Sequence, residues 1–256
     1  MVNVSCVELP NDISSDIWEG LIKHVEENSS EIVVLNEMPL IKWYWGVPSV
    51  DVQVAKDAAN LHEERMTMIG KLNCKVIASK PTYENGKLYN EAFLWDGEYK
   101  PVHTKHFFPE EPGFHEDSWF NRKPPTFDAF DMGGVKTGVM LCTEMWFDEH
   151  ARLYGKDDVH LIAGPRATET GGLERWKVAF RHISLVSGAF TVTSNRAGVT
   201  PTNDFCGYGC IVDPNGTIIA HTSREEPFIT RDLDFSLADE AKKTYPRYVR
   251  EADLIN

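Results

Sequence analysis

Strand-like and helix-like segments alternate along most of the chain, and this alternation restricts the fold more than any other feature of the sequence. Residues 2–9 and 75–79 are short apolar runs typical of buried strands. Between them, the apolar residues of segments 17–25 and 54–68 recur every three or four positions, as on the buried face of an amphipathic helix. The alternation continues to about residue 219, so we predict an α/β fold in which helices cover the faces of sheets.

One domain is enough to hold the whole chain. Its 256 residues can form one large hydrophobic core, and no repeat or low-complexity tract divides them. We therefore predict a single domain over residues 1–256. Residues 233–256 show neither pattern clearly and are expected to form an irregular C-terminal tail, which could pack on a partner subunit.

The chain is strongly acidic, with a formal net charge of −13 at pH 7. Such a surface repels phosphate backbones and anionic lipids, so we expect neither a nucleic acid nor a membrane as a partner. No apolar run approaches the roughly 20 residues of a membrane-spanning helix, and residues 1–10 do not resemble a secretory signal. The odd number of cysteines, five, argues against a disulfide framework and favours the cytoplasm.

Three apolar runs end abruptly in a chemically reactive side chain: a carboxylate at Glu37, an ammonium at Lys105 and a thiol at Cys142. In α/β sheets, ligands bind beyond the carboxyl ends of the strands, so neighbouring strands would bring these groups together. A thiol can attack a carbon that carries nitrogen, a carboxylate can accept and return its proton, and a cation can stabilise the oxyanion. The three residues together therefore indicate covalent hydrolysis.

Other interpretations of these residues stay open at this point. A buried cysteine is more often a small hydrophobic residue than a nucleophile, and a Cys–His protease would use His103 or His106 as its base. Cys206 and Cys210 form a pair without a second pair at zinc-site spacing, so we expect no metal.

At the level of motifs, the chain resembles the nitrilase superfamily of carbon–nitrogen hydrolases over nearly its whole length. Segment 33–39 is similar to the family's glutamate motif, segment 103–109 to its lysine motif, and segment 138–149 to its nucleophile motif. Segments 161–167 and 207–216 resemble the motifs that follow. The order and spacing of the whole set make the resemblance specific.

By this resemblance, Glu37, Lys105 and Cys142 are the catalytic residues. The family also has a second glutamate, between the lysine and the cysteine, that contacts the lysine and helps to place the substrate. Segment 115–120 resembles that motif, which makes Glu116 the candidate, with Glu110 and Glu111 as neighbouring alternatives; the other interpretation of all three is a charged loop.

The family resemblance also implies a four-layer α-β-β-α sandwich and a homodimer or higher homo-oligomer. It implies no metal or organic cofactor, because the acyl group passes to the cysteine as a thioester and water then releases the acid.

Residues close to the nucleophile are expected to shape the substrate pocket, and we assign Thr143, Glu144 and Trp146 to it. Arg166 follows a predicted strand and could bind a substrate carboxylate, although a structural salt bridge explains it equally well. Asn195, in a motif that matches the family, is a further candidate for substrate binding.

The residue that follows the nucleophile indicates the substrate class. Nitrilases of the family commonly have Cys-Trp-Glu at the nucleophile, whereas this chain has Cys-Thr-Glu, which favours an amide or a carbamoyl compound. We predict a small-molecule amidase that releases ammonia, with a nitrilase or an N-carbamoyl amidohydrolase as alternatives. An inactive homologue that only binds a partner is the alternative outside enzymology, and it would be expected to lack a catalytic residue.

Overall fold

The computed structural model describes residues 1–249. Its helices are α1 Ser15–Glu27, α2 Val52–Gly70, α3 Glu116–Trp119, α4 Asp148–Lys156, α5 Leu173–Ser187 and α6 Ser236–Lys242, with short 3₁₀ turns at Cys142–Trp146 and Thr170–Gly172. Its strands are β1 Val2–Pro10, β2 Ile32–Val34, β3 Lys75–Glu84, β4 Lys87–Trp95, β5 Tyr99–Thr104, β6 Glu110–Glu111, β7 Phe114–His115, β8 Phe130–Asp131, β9 Lys136–Val139, β10 Leu161–Pro165, β11 Phe190–Val199, β12 Asp204–Cys206, β13 Cys210–Val212, β14 Ile218–His221 and β15 Phe228–Leu233.

Two mixed sheets form the centre of the fold. One has the strand order β5-β4-β3-β2-β1-β15, and the other has the order β8-β9-β10-β11 continued by β13 and β14. Strand β1 also pairs in parallel with β11, from Glu8 opposite Asn195 to Pro10 opposite Ala197, and this pairing joins the sheets at one end.

Three layers of packing hold these sheets between helices. Apolar residues of both sheets meet in one core, which includes Val34, Ile77, Leu141 and Val192. Helices α1 and α2 cover the outer face of the first sheet. Helices α4 and α5 cover the outer face of the second sheet. This order of layers confirms the predicted α-β-β-α sandwich.

The strand directions explain why distant segments meet. Strands β1, β2 and β3 are parallel, β5 runs in the same direction through two antiparallel steps, and β9, β10 and β11 are parallel. Because β1 and β11 are also parallel, the carboxyl ends of both sets of strands lie at one end of the sandwich. Glu37, Lys105 and Cys142 follow β2, β5 and β9 at that end, where α/β folds form their ligand sites.

Only Phe130–Asp131 of the segment 126–132 pairs with β9, and the preceding residues form a loop whose Thr126 carbonyl contacts His103. One prediction about secondary structure was too simple. The segment from residue 233 is not irregular throughout, since α6 forms there and buries Ala238 and Ala241; residues 250–256 lie outside the described part of the chain. No helix among residues 1–249 is long and apolar enough to cross a membrane.

Candidate active site

Lys105 lies between two carboxylates in the interior of the protein. Its Nζ donates to Oε1 of Glu37 at 2.8 Å and to Oε2 of Glu116 at 2.7 Å. All three side chains are 0% exposed. An ammonium has three N–H donors, so these two bonds leave one donor for a further acceptor.

Each of the two glutamates keeps one oxygen without a hydrogen-bond partner among the described residues. These atoms are Oε2 of Glu37 and Oε1 of Glu116. Buried polar atoms are normally hydrogen-bonded, so two orphan carboxylate oxygens beside one lysine mark a place where a substrate or water completes the bonding.

The loop that carries Glu37 is fixed by two residues that the sequence analysis did not identify. Asn90 in β4 donates to Oε1 of Glu37 at 2.8 Å. The buried guanidinium of Arg196 donates to the backbone carbonyls of Glu37 and Met38 at 3.0 and 2.9 Å. The sequence shows that these two polar residues lie within the strands β4 and β11, but it does not show which loop their side chains reach.

Cys142 begins a 3₁₀ turn at the end of β9 and has a left-handed backbone, with φ of 46°. A residue other than glycine in this region costs free energy, and such strain is concentrated at functional sites. Its Sγ lies 3.8 Å from the carbonyl oxygen of Ala167, and the residue lines a cleft. The thiol is therefore held at the wall of a cavity rather than in the sealed core.

The cleft has a volume of about 300 Å³ and suits a small molecule. Its floor and walls include Cys142, Thr143 and the rings of Phe114 and Trp176. Arg175, in the first turn of α5, is an exposed cation at the cleft. The remaining lining residues are Pro109, Glu111, Pro112, Ala167, Thr168, Glu169, Gly171 and Gly172.

Burial has the largest effect on the pKa values of the ionisable groups in this site. Burial raises the pKa of the Cys142 thiol well above its usual value, the charge of Glu37 adds to the effect, and Lys105 only partly opposes it. Burial also raises the pKa of Glu116 to about 8, against the opposing charge of Lys105. The pKa of Lys105 is raised, because the two glutamates outweigh the effect of its own burial. The resting site thus has a neutral thiol beside a charged lysine.

Of the residues assigned to the substrate pocket, two line the cleft or the recess beside it. Thr143 lines the cleft beside Cys142. Trp146 is 47% exposed and lines an adjoining recess, where its ring contacts that of Trp176.

Three other assignments to the substrate pocket need correction, because these side chains are buried and bonded elsewhere. The guanidinium of Arg166 donates to Thr168 Oγ1, to the hydroxyl of Thr193 and to the carbonyl of Tyr208. The amide of Asn195 bridges the backbone of Thr168 and Gly207. Both side chains join β11 to the segment that follows β10.

The third correction concerns Glu144, which is 0% exposed and does not face the cleft. Its carboxylate accepts hydrogen bonds from the backbone N–H groups of Leu141 and His106 and contacts the ring of His103.

The two alternatives to Glu116 are also distinguished by position. Glu110 accepts from Ser118 and pairs with His115 at the surface, and Glu111 lies at the cleft, whereas Glu116 contacts Lys105 directly.

Among residues 1–249, no group of three or more His, Cys, Asp and Glu side chains is arranged to hold a metal ion.

Comparisons with known proteins agree with the resemblance to carbon–nitrogen hydrolases that the motifs indicate. The family model described as carbon–nitrogen hydrolase matches residues 15–243. The chain is 28% identical to the omega-amidase of Xenopus tropicalis, over 91% of this chain and 88% of that protein. It is 22% identical to the 2-oxoglutaramate amidase of Bacillus subtilis, over 86% of this chain and 85% of that protein. A crystal structure of a carbon–nitrogen hydrolase from Helicobacter pylori G27 has the same fold, with a TM-score of 0.85 at 20% identity and coverage of 96% and 94%.

Proposed function

Since the chain belongs to the carbon–nitrogen hydrolase family and is a hydrolase of the amidase type, we propose that Cys142 is its nucleophile, with Glu37 as general base and Lys105 as oxyanion donor. The observation that carries this proposal is a buried lysine held by two glutamates, each with an orphan oxygen, beside a cysteine that lines a cleft.

The first half of the reaction forms a thioester. Because burial keeps the thiol of Cys142 protonated, the thiol needs a base at the moment of attack. The orphan Oε2 of Glu37 takes this proton while Sγ bonds to the amide carbon. The proton then passes to the amide nitrogen, the C–N bond breaks, and ammonia leaves.

Charge develops on the amide oxygen during this step and needs hydrogen-bond donors. The third N–H of Lys105 supplies one, since Glu37 and Glu116 occupy the other two. The backbone N–H of Thr143, next to the nucleophile, is the second proposed donor. Fixed donors in a buried site cost little reorganisation, so they stabilise the oxyanion strongly.

The second half of the reaction is hydrolysis of the thioester. Water attacks the acyl carbon, Glu37 accepts its proton, and the acid leaves as the proton returns to Sγ of Cys142. Glu116 is proposed to hold Lys105 through its Oε2 and to meet the amide or the water with its orphan Oε1.

We propose that the substrate is a small primary amide that carries a carboxylate at its other end, as the name of the 2-oxoglutaramate amidase relative implies for that enzyme. The guanidinium of Arg175 supports this choice, because it is a cation that lines the cleft together with Cys142. An assay of ammonia release from 2-oxoglutaramate, a neutral amide of similar length, a nitrile and an N-carbamoyl compound tests the proposal. The highest kcat/KM is expected for 2-oxoglutaramate, and preference for the nitrile or the carbamoyl compound would favour those alternatives.

The same assay tests Arg175. Arg175→Ala is expected to raise KM for 2-oxoglutaramate about tenfold, equivalent to about 1.4 kcal/mol, and to leave the neutral amide unchanged. Arg224→Ala, which removes another exposed arginine outside the cleft, is the matched control. An equal loss on both amides would contradict a role in carboxylate binding.

We also propose that the enzyme is a cytoplasmic homodimer or larger homo-oligomer. Leu153 of α4 and Val178 of α5 are 53% and 63% exposed on the outer helical layer, which suits an apolar interface. All five cysteines are free, which agrees with a reducing compartment. Sedimentation is expected to give at least twice the chain mass of 29.0 kDa, and Val178→Glu is expected to give the monomer. A wild-type monomer at micromolar concentration would contradict the dimer.

A further inference from the structure

One carboxylate connects the chain next to Lys105 with the chain next to Cys142. Oε1 of Glu144 accepts from the backbone N–H of His106 at 2.7 Å, and Oε2 accepts from the backbone N–H of Leu141 at 2.8 Å. His106 directly follows Lys105, and Leu141 directly precedes Cys142. No strand pairing links β5 to β9 directly, so this side chain bridges the two sheets at the site.

The imidazole of His103 completes the arrangement and must be protonated there. Its Nδ1 lies 2.7 Å from the carbonyl oxygen of Thr126, which can only accept a hydrogen bond. Its Nε2 lies 2.8 and 3.0 Å from the two oxygens of Glu144. Two backbone N–H groups also donate to that carboxylate, so both of its oxygens act as hydrogen-bond acceptors. Both ring nitrogens therefore face acceptors and both must donate, which makes an imidazolium.

We propose that Glu144 and protonated His103 form a positioning pair that sets the placement of Lys105 relative to Cys142, and that turnover depends on the charge of this pair. Glu144 fixes the two backbone segments, and His103 supplies the cation that pairs with the buried carboxylate. The proposal rests on the catalytic roles proposed above for Lys105 and Cys142.

The surroundings of His103 agree with this charge. Burial lowers the pKa of His103, but the charge of Glu144 and the hydrogen bonds to Glu144 and Thr126 outweigh burial and raise the pKa above its ordinary value. The groups that face or influence the imidazole are Glu144 of the 3₁₀ turn, Thr126 and Phe127 of the loop before β8, and His150 of α4. Burial lowers the pKa of His150, so this neighbour is neutral and does not compete for the carboxylate.

The variant Glu144→Gln breaks one of the two backbone contacts of this side chain. Three N–H donors meet the two oxygens of Glu144, and glutamine replaces one oxygen by another donor, which then faces a backbone N–H. We expect kcat to fall about 10- to 100-fold, as for a misplacement of catalytic groups by about 1 Å, with KM within about threefold of wild type. Glu149→Gln, at an exposed glutamate in α4, is the matched control and is expected to keep the wild-type kcat.

The variant His103→Gln removes the titratable charge of residue 103 and keeps a side chain that can form hydrogen bonds. As pH rises through the raised pKa of His103, the imidazolium loses its proton and the pair loses its attraction, so wild-type kcat is expected to fall on the alkaline side. Glutamine does not titrate, so His103→Gln is expected to have a lower kcat at neutral pH but no such alkaline limb. Circular dichroism checks that both variants are folded at the assay temperature, and kcat is referred to folded protein.

Two outcomes would overturn the inference. One is wild-type kcat in the folded fraction of Glu144→Gln, and the other is an unchanged alkaline limb in His103→Gln. Cys142→Ala, measured in parallel, distinguishes this failure from failure of the proposed function. An inactive Cys142→Ala with a fully active Glu144→Gln removes the positioning pair alone, whereas an active Cys142→Ala removes the nucleophile on which both proposals depend.

Discussion

Cys142→Ala is expected to abolish amide hydrolysis, with kcat reduced roughly 10⁴-fold or more, while the protein stays folded. The reaction proposed here has no second route to the thioester, because the attacking atom is lost. The fold is expected to tolerate the change, since Sγ makes only a weak contact, 3.8 Å from the carbonyl oxygen of Ala167. Ammonia release and a thermal melt measure the two effects on the same sample.

Cys74→Ala is the matched control for the nucleophile. Cys74 is a half-buried free cysteine that precedes β3, away from the cleft. We expect its replacement by alanine to leave kcat within about twofold of wild type. Wild-type turnover in Cys142→Ala, or loss of turnover in Cys74→Ala, would contradict the assignment of the nucleophile.

Glu37→Gln is expected to lower kcat about 10³-fold with little change in KM, because glutamine cannot accept the thiol proton. The amide oxygen of glutamine can still accept from Lys105 and Asn90, so the loop keeps its hydrogen bonds. The charge of Glu37 also raises the pKa of Cys142. Its removal lowers that pKa, so alkylation of Cys142 by iodoacetamide is expected to begin at a lower pH than in wild type.

Glu110→Gln serves as the control for Glu37. Glu110 is an exposed glutamate whose partners, His115 and Ser118, lie at the surface. Its kcat and its alkylation profile are expected to match those of the wild type. A Glu37→Gln enzyme with normal kcat would require another base for the thiol and would remove the proposed role.

The fold and the three central residues could be predicted because their signals are local in the sequence. Apolar runs that end in Glu37, Lys105 and Cys142 mark the carboxyl ends of strands, and the topology of an α/β sandwich brings such ends together. Glu116 was predictable only through the family motif, because a glutamate in a polar loop carries no sign of the burial it reaches beside Lys105.

The pocket assignments were less accurate because proximity in sequence to the nucleophile does not fix where a side chain points. Glu144 lies two residues after Cys142, yet the 3₁₀ turn directs it into the protein, toward His103. Arg166 follows a strand end, but the hydroxyls of Thr168 and Thr193 and the carbonyl of Tyr208 take up its guanidinium. Arg175 shows the reverse case, since it lies far along the chain and reaches the cleft only through the start of α5.

The most direct test of the proposed mechanism is intact-mass measurement of the enzyme after mixing with an amide substrate and rapid quenching in acid. We predict a mass increase equal to the acyl group of the substrate, carried by the peptide that contains Cys142 and absent from Cys142→Ala. A substrate that is turned over without any acyl adduct, or an adduct on one of the other cysteines, would contradict a thioester at Cys142.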